Sequence, residues 1–272
     1  MTMPQSRSHS TLPSLIGRSL DKSYRPLEFY LRDQSRLPGT RANLELLEDF
    51  SALVAAAVQE KPEQVRALLD YLISDDRHKV ATNTPAEFVM MCGVTAFGAC
   101  AAVRPAWRSE VYELLAQYAC SICWRVREGA KIALQRLLES VPRETISYLT
   151  ILARQGNYFQ QRAAVATLAE PALLSHEERL QAALALHKAV LERLRDASAI
   201  DRKREDFRTL RQSLGYTMSV IAAADPEQGF ALMRTCASWR DADINWILRE
   251  NLKKKRLARF IEYTIELWAL LV

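Results

Sequence analysis

The sequence predicts an all-α chain built as an α-solenoid, a superhelix of stacked helical hairpins. Three observations predict it. Glycine is scarce, 8 in 272 residues, and proline modest at 10, whereas a sheet protein of this length needs more turn glycine. Nearly every segment beyond residue 25 spaces its apolar residues at helical rather than alternating intervals. Helix, short turn and helix recur about every 35–45 residues, a period that marks repeat architectures.

The elements follow in order. "LELLEDFSALVAAAVQ" (44–59) and "PEQVRALLDYLI" (62–73) form a first pair joined by a short polar link. "TPAEFVMMCGVTAFGACAAV" opens with Thr84, Pro85 and Glu87, which read as helix cap, first-turn proline and capping-box acid. "WRSEVYELLAQYAC" leads into "CWRVREGAKIALQRLLES", and "PRETISYLTILAR" into "YFQQRAAVATLAE". Ser175 and Glu178 are read as the cap of "HEERLQAALALHKAVLERLRD". "REDFRTLRQSLGYTMSVIAAA" follows, and Asp225, Pro226 and Gln228 open "PEQGFALMRTCAS". "INWILRENLKKK" and "ARFIEYTIELWALL" complete about a dozen helices, joined mostly by links of a few residues.

Composition bounds the rest. With 49% apolar and 25% charged residues the chain is globular rather than disordered. Residues 1–24 are expected to be a disordered N-terminal tail, without the apolar core of a secretory signal. Residues 25–272 are expected to form a single HEAT-like solenoid domain. The net charge of +5 permits a polyanionic partner without demanding one. Five cysteines, odd in number and irregularly spaced, argue against a secreted disulfide framework. Reduced thiols and a cytoplasmic location are the expectation. No apolar run is read as approaching the roughly 20 residues of a membrane span, so no membrane partner is expected.

The second helices of two hairpins resemble each other. "VREGAKIAL" (126–134) can be laid on "QRAAVATL" (161–168), which sets Arg127 against Gln161. A Val-Arg pair followed by small residues and Ala-Leu is the pattern of a HEAT second helix. Successive helical residues turn by roughly 100°. On the first of these helices Val126, Ala130, Ala133, Leu134 and Leu137 make the apolar stripe, with Trp124, Glu128, Lys131 and Gln135 opposite. On the last basic helix Ile244, Ile247, Leu248 and Leu252 cluster, with Trp246, Arg249 and Lys253 opposite. In a solenoid that second face looks into the concave groove. Alternatively, each indole packs against a neighbouring repeat. Aromatic faces beside Arg and Lys suit nucleic acid.

The run Trp246, Ile247, Leu248, Arg249, Glu250 closely resembles a motif of the HEAT-like-repeat DNA alkylation-repair glycosylases, the AlkD-like proteins. That family also carries an earlier Trp with an Asp four residues on, and Trp124 and Glu128 have this spacing. Its paired-arginine inner helix is matched by "QQRAAV", with Gln161 on the first arginine and Arg162 on the second. The resemblance covers roughly residues 85–255. It implies excision of cationic alkylated purines, with a carboxylate and aromatic faces stabilising the developing positive sugar and arginine holding the backbone. In that reading Glu128 is the catalytic carboxylate. Glu128 is one methylene longer than the family's Asp, and Gln161 lacks the arginine's charge, and misplacement on that scale costs orders of magnitude in rate.

The first expectation is therefore a non-catalytic binding protein with a basic groove. It engages nucleic-acid backbone (DNA or RNA) or an acidic protein surface through Trp124, Arg127, Lys131, Gln161, Arg162, Trp246, Arg249 and Lys253. An AlkD-like glycosylase is the alternative. No metal or cofactor is expected. Cys120 and Cys123 make a lone CxxC without a second pair or nearby His, and are read as apolar thiols at a helix end. The four histidines are scattered, and no phosphate-binding glycine loop occurs. "DRKRE" (201–205) is read as a solvated loop, and "KKKRLAR" (253–259) either as last-turn cations that complement the helix dipole or, beside Trp246 and Arg249, as a phosphate-contacting patch.

Overall fold

Among the described residues there are fourteen α-helices, four short 3-10 turns and no strand. A computed structural model describes residues 11–74 and 80–271. The all-helical expectation holds. The chain divides into two compact units, Met1–Ser140 and Val141–Val272.

In the first unit α1 (Thr11–Leu20), α2 (Arg25–Asp33), α3 (Leu44–Ala57) and α4 (Pro62–Leu72) precede α5 (Pro85–Val103), α6 (Arg108–Tyr118) and α7 (Trp124–Ser140). The sequence expected a disordered tail over 1–24, and the structure corrects this for the helix Thr11–Leu20. Leu12, Ile16 and Leu20 sit four residues apart, are buried, and pack toward α2, α3 and α4. That stripe outweighs the missing capping signal. Residues 1–10 of the expected tail lie outside the described residues.

α5 is the centre of the unit. Glu87 through Ala101 are all buried, enclosed by α2, α3, α4, α6 and α7. A helix apolar all round belongs in a core or a membrane. Contrary to the sequence reading, this 19-residue helix is long and apolar enough to span a bilayer, but most of it is buried inside the protein. Its crossing with α7 is close because each helix puts a glycine at the contact, Gly98 and Gly129. A Cβ on Gly98 would lie 2.5 Å from the Ala133 Cβ, and one on Gly129 would lie 3.1 Å from Met91 Cγ. The predicted α7 stripe of Val126, Ala130, Ala133, Leu134 and Leu137 is fully buried.

The second unit comprises α8 (Pro142–Gln155), α9 (Tyr158–Leu168), α10 (Glu177–Arg195), α11 (Glu205–Ala224), α12 (Pro226–Ala237), α13 (Ala242–Leu252) and α14 (Ile261–Leu270). α11 packs against α9, α10, α12 and α13. Asp225 caps α12 as the sequence predicts, accepting from Gln228 N at 2.9 Å. Ser175 does not cap α10: the helix starts at Glu177 after an uncapped His176, and the Ser175 hydroxyl donates to Ala172 O instead. Asn251 ties α13 to α11, donating to Leu214 O and accepting from Ser219 N. His187 on α10 does the same for Thr217 on α11. The "DRKRE" segment is not a free solvated loop. Arg202 turns inward to Asp241 at 2.9 Å and Asp243 at 2.6 Å.

Candidate binding cleft

The first unit holds an open cleft of about 470 Å³ between the loop before α3 and the exposed face of α7. Its loop side carries Arg36, Arg41 and Glu45; its helix side carries Trp124, Arg125, Glu128 and Lys131. Trp124, Glu128 and Lys131 fall where the 100° construction places them, opposite the buried stripe, whereas Arg125 is buried. Trp124 is 46% exposed, a large indole face left to solvent. The Arg125 guanidinium carbon lies 5.0 Å from its ring centroid, within cation–π range.

The loop is held rigidly. Ser35 Oγ accepts from Leu37 N, and Asn43 Nδ2 donates to Gln34 O. Arg36 adopts a left-handed conformation, φ 60°, and Gly39 then passes so close that a Cβ would sit 2.5 Å from Arg36 O. Gly39 N donates to Asn83 Oδ1 at 3.0 Å, and Gly39 O accepts from Arg125 Nη2 at 2.7 Å.

Arg125 is itself anchored by Glu87. The Glu87 carboxylate is wholly buried, and Arg125 is 4% exposed. Glu87 Oε1 accepts from Arg125 N at 3.0 Å, and Oε2 from Arg125 Nη1 at 3.2 Å and Asn83 N at 2.7 Å. The sequence assigned Glu87 to a capping box. Thr84 does cap α5, but the Glu87 side chain reaches Asn83 and α7. A buried ion pair thus sets the floor and one lip of the cleft.

The rim charges are mixed. Arg36 pairs with Glu45 at 3.1 Å and Lys131 with Glu128 at 2.8 Å. Arg41 is exposed and makes no ion pair among the described residues. Its charge is therefore available to a ligand, and the paired cations can exchange a surface carboxylate for a phosphate at small cost.

Of the sequence-predicted residues, Trp124, Glu128 and Lys131 share this cleft. Arg127 does not. It is 8% exposed, and its Nη1 donates to Ser121 O at 2.6 Å and Ile122 O at 3.3 Å. It holds the turn into α7, because its position on the helix falls at the edge of the buried stripe. The remaining candidates belong to the second unit. Gln161 is completely buried, with its amide nitrogen on Gly156 O at 2.9 Å, so it packs α9 rather than lining a groove. Arg162 is half-buried on the same helix.

Trp246 follows the alternative reading, in which the indole packs against a neighbouring helix. Its ring lies 3.2 Å from the place a Gly215 Cβ would occupy, and the Arg211 guanidinium lies 4.3 Å from the ring centroid. Arg211 in turn pairs with Asp243. Arg249 donates to Leu271 O, and Lys253 pairs with Glu250. The predicted Trp246, Arg249, Lys253 face is thus largely engaged inside its own unit. The cations the sequence reading missed are Arg36, Arg41 and Arg125. Only "SRLPGTR", with arginines flanking a Pro-Gly turn, hinted at two of them.

Among the described residues no cluster of His, Cys, Asp or Glu has the arrangement to hold a metal ion. Cys123 is buried, its thiol donating to Val80 O at 3.1 Å, and all five cysteines are free. Cys92 and Cys100 are pushed up by burial, Cys100 to about 12, so neither is a nucleophile near neutral pH.

No protein-family model matches the chain, and no curated protein matches its sequence. Two engineered proteins of known crystal structure are similar to it. One shows 11% identity over 94% of this chain and 97% of its own, with a TM-score of 0.39. The other shows 14% identity over 82% and 97%, with a TM-score of 0.31. At these scores neither likeness defines a fold family. The class that stands is an all-helical protein of two units, with a mixed-charge cleft in the first.

Proposed function

We propose that this chain is a HEAT-like helical-repeat protein that binds nucleic acid without catalysis, and that the cleft of its first unit is the contact. The observation that carries the reading is the exposed Trp124 indole on a cleft rimmed by Arg36, Arg41 and Lys131. An indole face stacks on any base, while the cations neutralise backbone phosphates. The loop is fixed before a ligand arrives, so little ordering entropy opposes binding. Free cysteines throughout fit a reducing compartment such as the cytoplasm.

Fluorescence anisotropy with labelled single-stranded and duplex oligonucleotides tests this. Stacking on one aromatic contributes about 1–3 kcal/mol, so Trp124→Ala should weaken binding by roughly five- to a hundredfold. Equal affinity in wild type and variant would remove the cleft from the account.

A second reading, an AlkD-like glycosylase, is favoured by one observation: Trp124 and Glu128 line the same cleft. Against it, Glu128 is paired with Lys131, and Gln161 is buried where that family has an arginine. The discriminating assay is release of methylated purine from duplex DNA. Release above the no-enzyme background, lost in Glu128→Gln, would replace the binding reading; no release is expected.

A further inference from the structure

The helix α14 leaves an apolar stripe uncovered. Ile261, Ile265 and Trp268 stand at i, i+4 and i+7, on one face, and are 63%, 65% and 40% exposed. The helix is nevertheless firmly seated. Leu267 is fully buried on the other face, and Tyr263 stacks on Phe230 of α12 with centroids 4.9 Å apart. The exposed face is thus a fixed feature of the second unit. Directly before the helix runs "KKKRLAR", five cations without an acid, of which Lys253, Lys255 and Arg259 are exposed.

We propose that α14 and the basic run before it form a docking surface for an anionic lipid bilayer. The charge complementarity selects this occupant. Cations attract the headgroup phosphates and carboxylates of an anionic leaflet, while Trp and aliphatic side chains enter the boundary between headgroups and acyl chains. Nucleic acid accounts for only half the surface, because isoleucine has no π face to stack on a base. A second copy of the chain fits poorly. A two-fold contact over the stripe places the same surface against itself, which brings two runs of like charge into one interface. The acids of α14 do not cancel the run: Glu266 is bridged to Arg234 at 3.1 Å, and Glu262 lies on the flank of the stripe. The association is peripheral, with α14 lying in the plane of the membrane.

Co-sedimentation of the full chain with vesicles tests the proposal. Wild type is expected to bind mixed phosphatidylcholine–phosphatidylserine vesicles at low salt and to ignore pure phosphatidylcholine. Each of Lys255→Glu and Arg259→Glu should lower binding about fivefold or more, from the contribution of one cation near an anionic surface. Ile265→Asp places a charge on the exposed stripe, where the fold tolerates it, and should lower binding at least tenfold; circular dichroism confirms that the helices remain. Absence of binding to mixed vesicles, or binding unchanged in Ile265→Asp, overturns the proposal. So does a wild-type dimer in sedimentation equilibrium that Ile265→Asp makes monomeric, which would assign the stripe to a second copy. These outcomes involve only the second unit, so their failure is separate from that of the cleft.

Discussion

Removing either partner of the Glu87–Arg125 pair should be among the most damaging single changes in the first unit. Glu87 is wholly buried and accepts three hydrogen bonds, two from backbone N–H groups and one from the guanidinium. Arg125 adds a bond to Gly39 O at 2.7 Å. Glu87→Gln preserves the shape but removes the charge, and whichever way the amide turns its nitrogen faces a donor, either Arg125 N or the pair Arg125 Nη1 and Asn83 N. Arg125 is left as a buried cation with a single carbonyl. Arg125→Met leaves the carboxylate on two N–H groups and deprives Gly39 O of its donor. Breaking a buried pair by losing one partner costs about 3–5 kcal/mol. At this chain size that lowers the melting temperature by roughly 10 °C. The double variant Glu87→Gln, Arg125→Met carries neither charge, so its cost should fall well below the sum, by about 1 kcal/mol or more. Urea unfolding followed by circular dichroism measures all four states. A cost under about 1 kcal/mol for Glu87→Gln would mean that the pair behaves as a surface contact and does not give the cleft a rigid floor.

Two further outcomes follow from single residues. His187 is fully buried, and burial lowers its pKa to about 4 despite the bond to Ala183 O. That carbonyl can only accept, so Nδ1 carries the proton and Nε2 accepts from the Thr217 hydroxyl. The folded pKa lies below the unfolded value, so on acidification the unfolded chain takes the proton first, and stability is lost between pH about 6.5 and about 4. The loss from this group is about 3 kcal/mol, and His187→Gln should flatten that part of the pH–stability curve; an unchanged slope would show that His187 titrates in the folded state. Gly98→Ala would push a methyl to 2.5 Å from the Ala133 Cβ and 2.7 Å from its Cα, at a cost of about 1–3 kcal/mol or more. Gly17→Ala in α1 meets nothing within 4 Å and should stabilise by about 0.5–1 kcal/mol; thermal melts of the two should shift in opposite directions.

Helix content and the buried faces were legible because the apolar period sets them locally. The stripes of α7 and α13 are buried as drawn, and Trp124, Glu128 and Lys131 lie opposite the first. The helix of Thr11–Leu20 was missed because three apolar residues without a cap are a weak local signal, made decisive only by packing. Trp246 was ambiguous for a related reason. Its position opposite the stripe was correct, but Gly215, thirty-one residues earlier, gives the indole a seat that no periodicity on α13 encodes. The repeat pattern sets Arg127 and Gln161 toward a groove, whereas each is turned onto a backbone carbonyl beside its own helix. The cleft's loop side was invisible, since the bond from Arg125 to Gly39 spans 86 positions. No local reading joins a Pro-Gly turn to a helix that distant.

The salt dependence of oligonucleotide binding tests the central claim most directly. If Arg36, Arg41 and Lys131 neutralise phosphates on a single strand, the logarithm of affinity should fall against the logarithm of salt with a slope of about −2. Arg41→Glu should make that slope shallower by about 0.7 while circular dichroism stays unchanged. Binding that ignores salt, a slope untouched in Arg41→Glu, or no binding to any oligonucleotide at low salt would contradict the account.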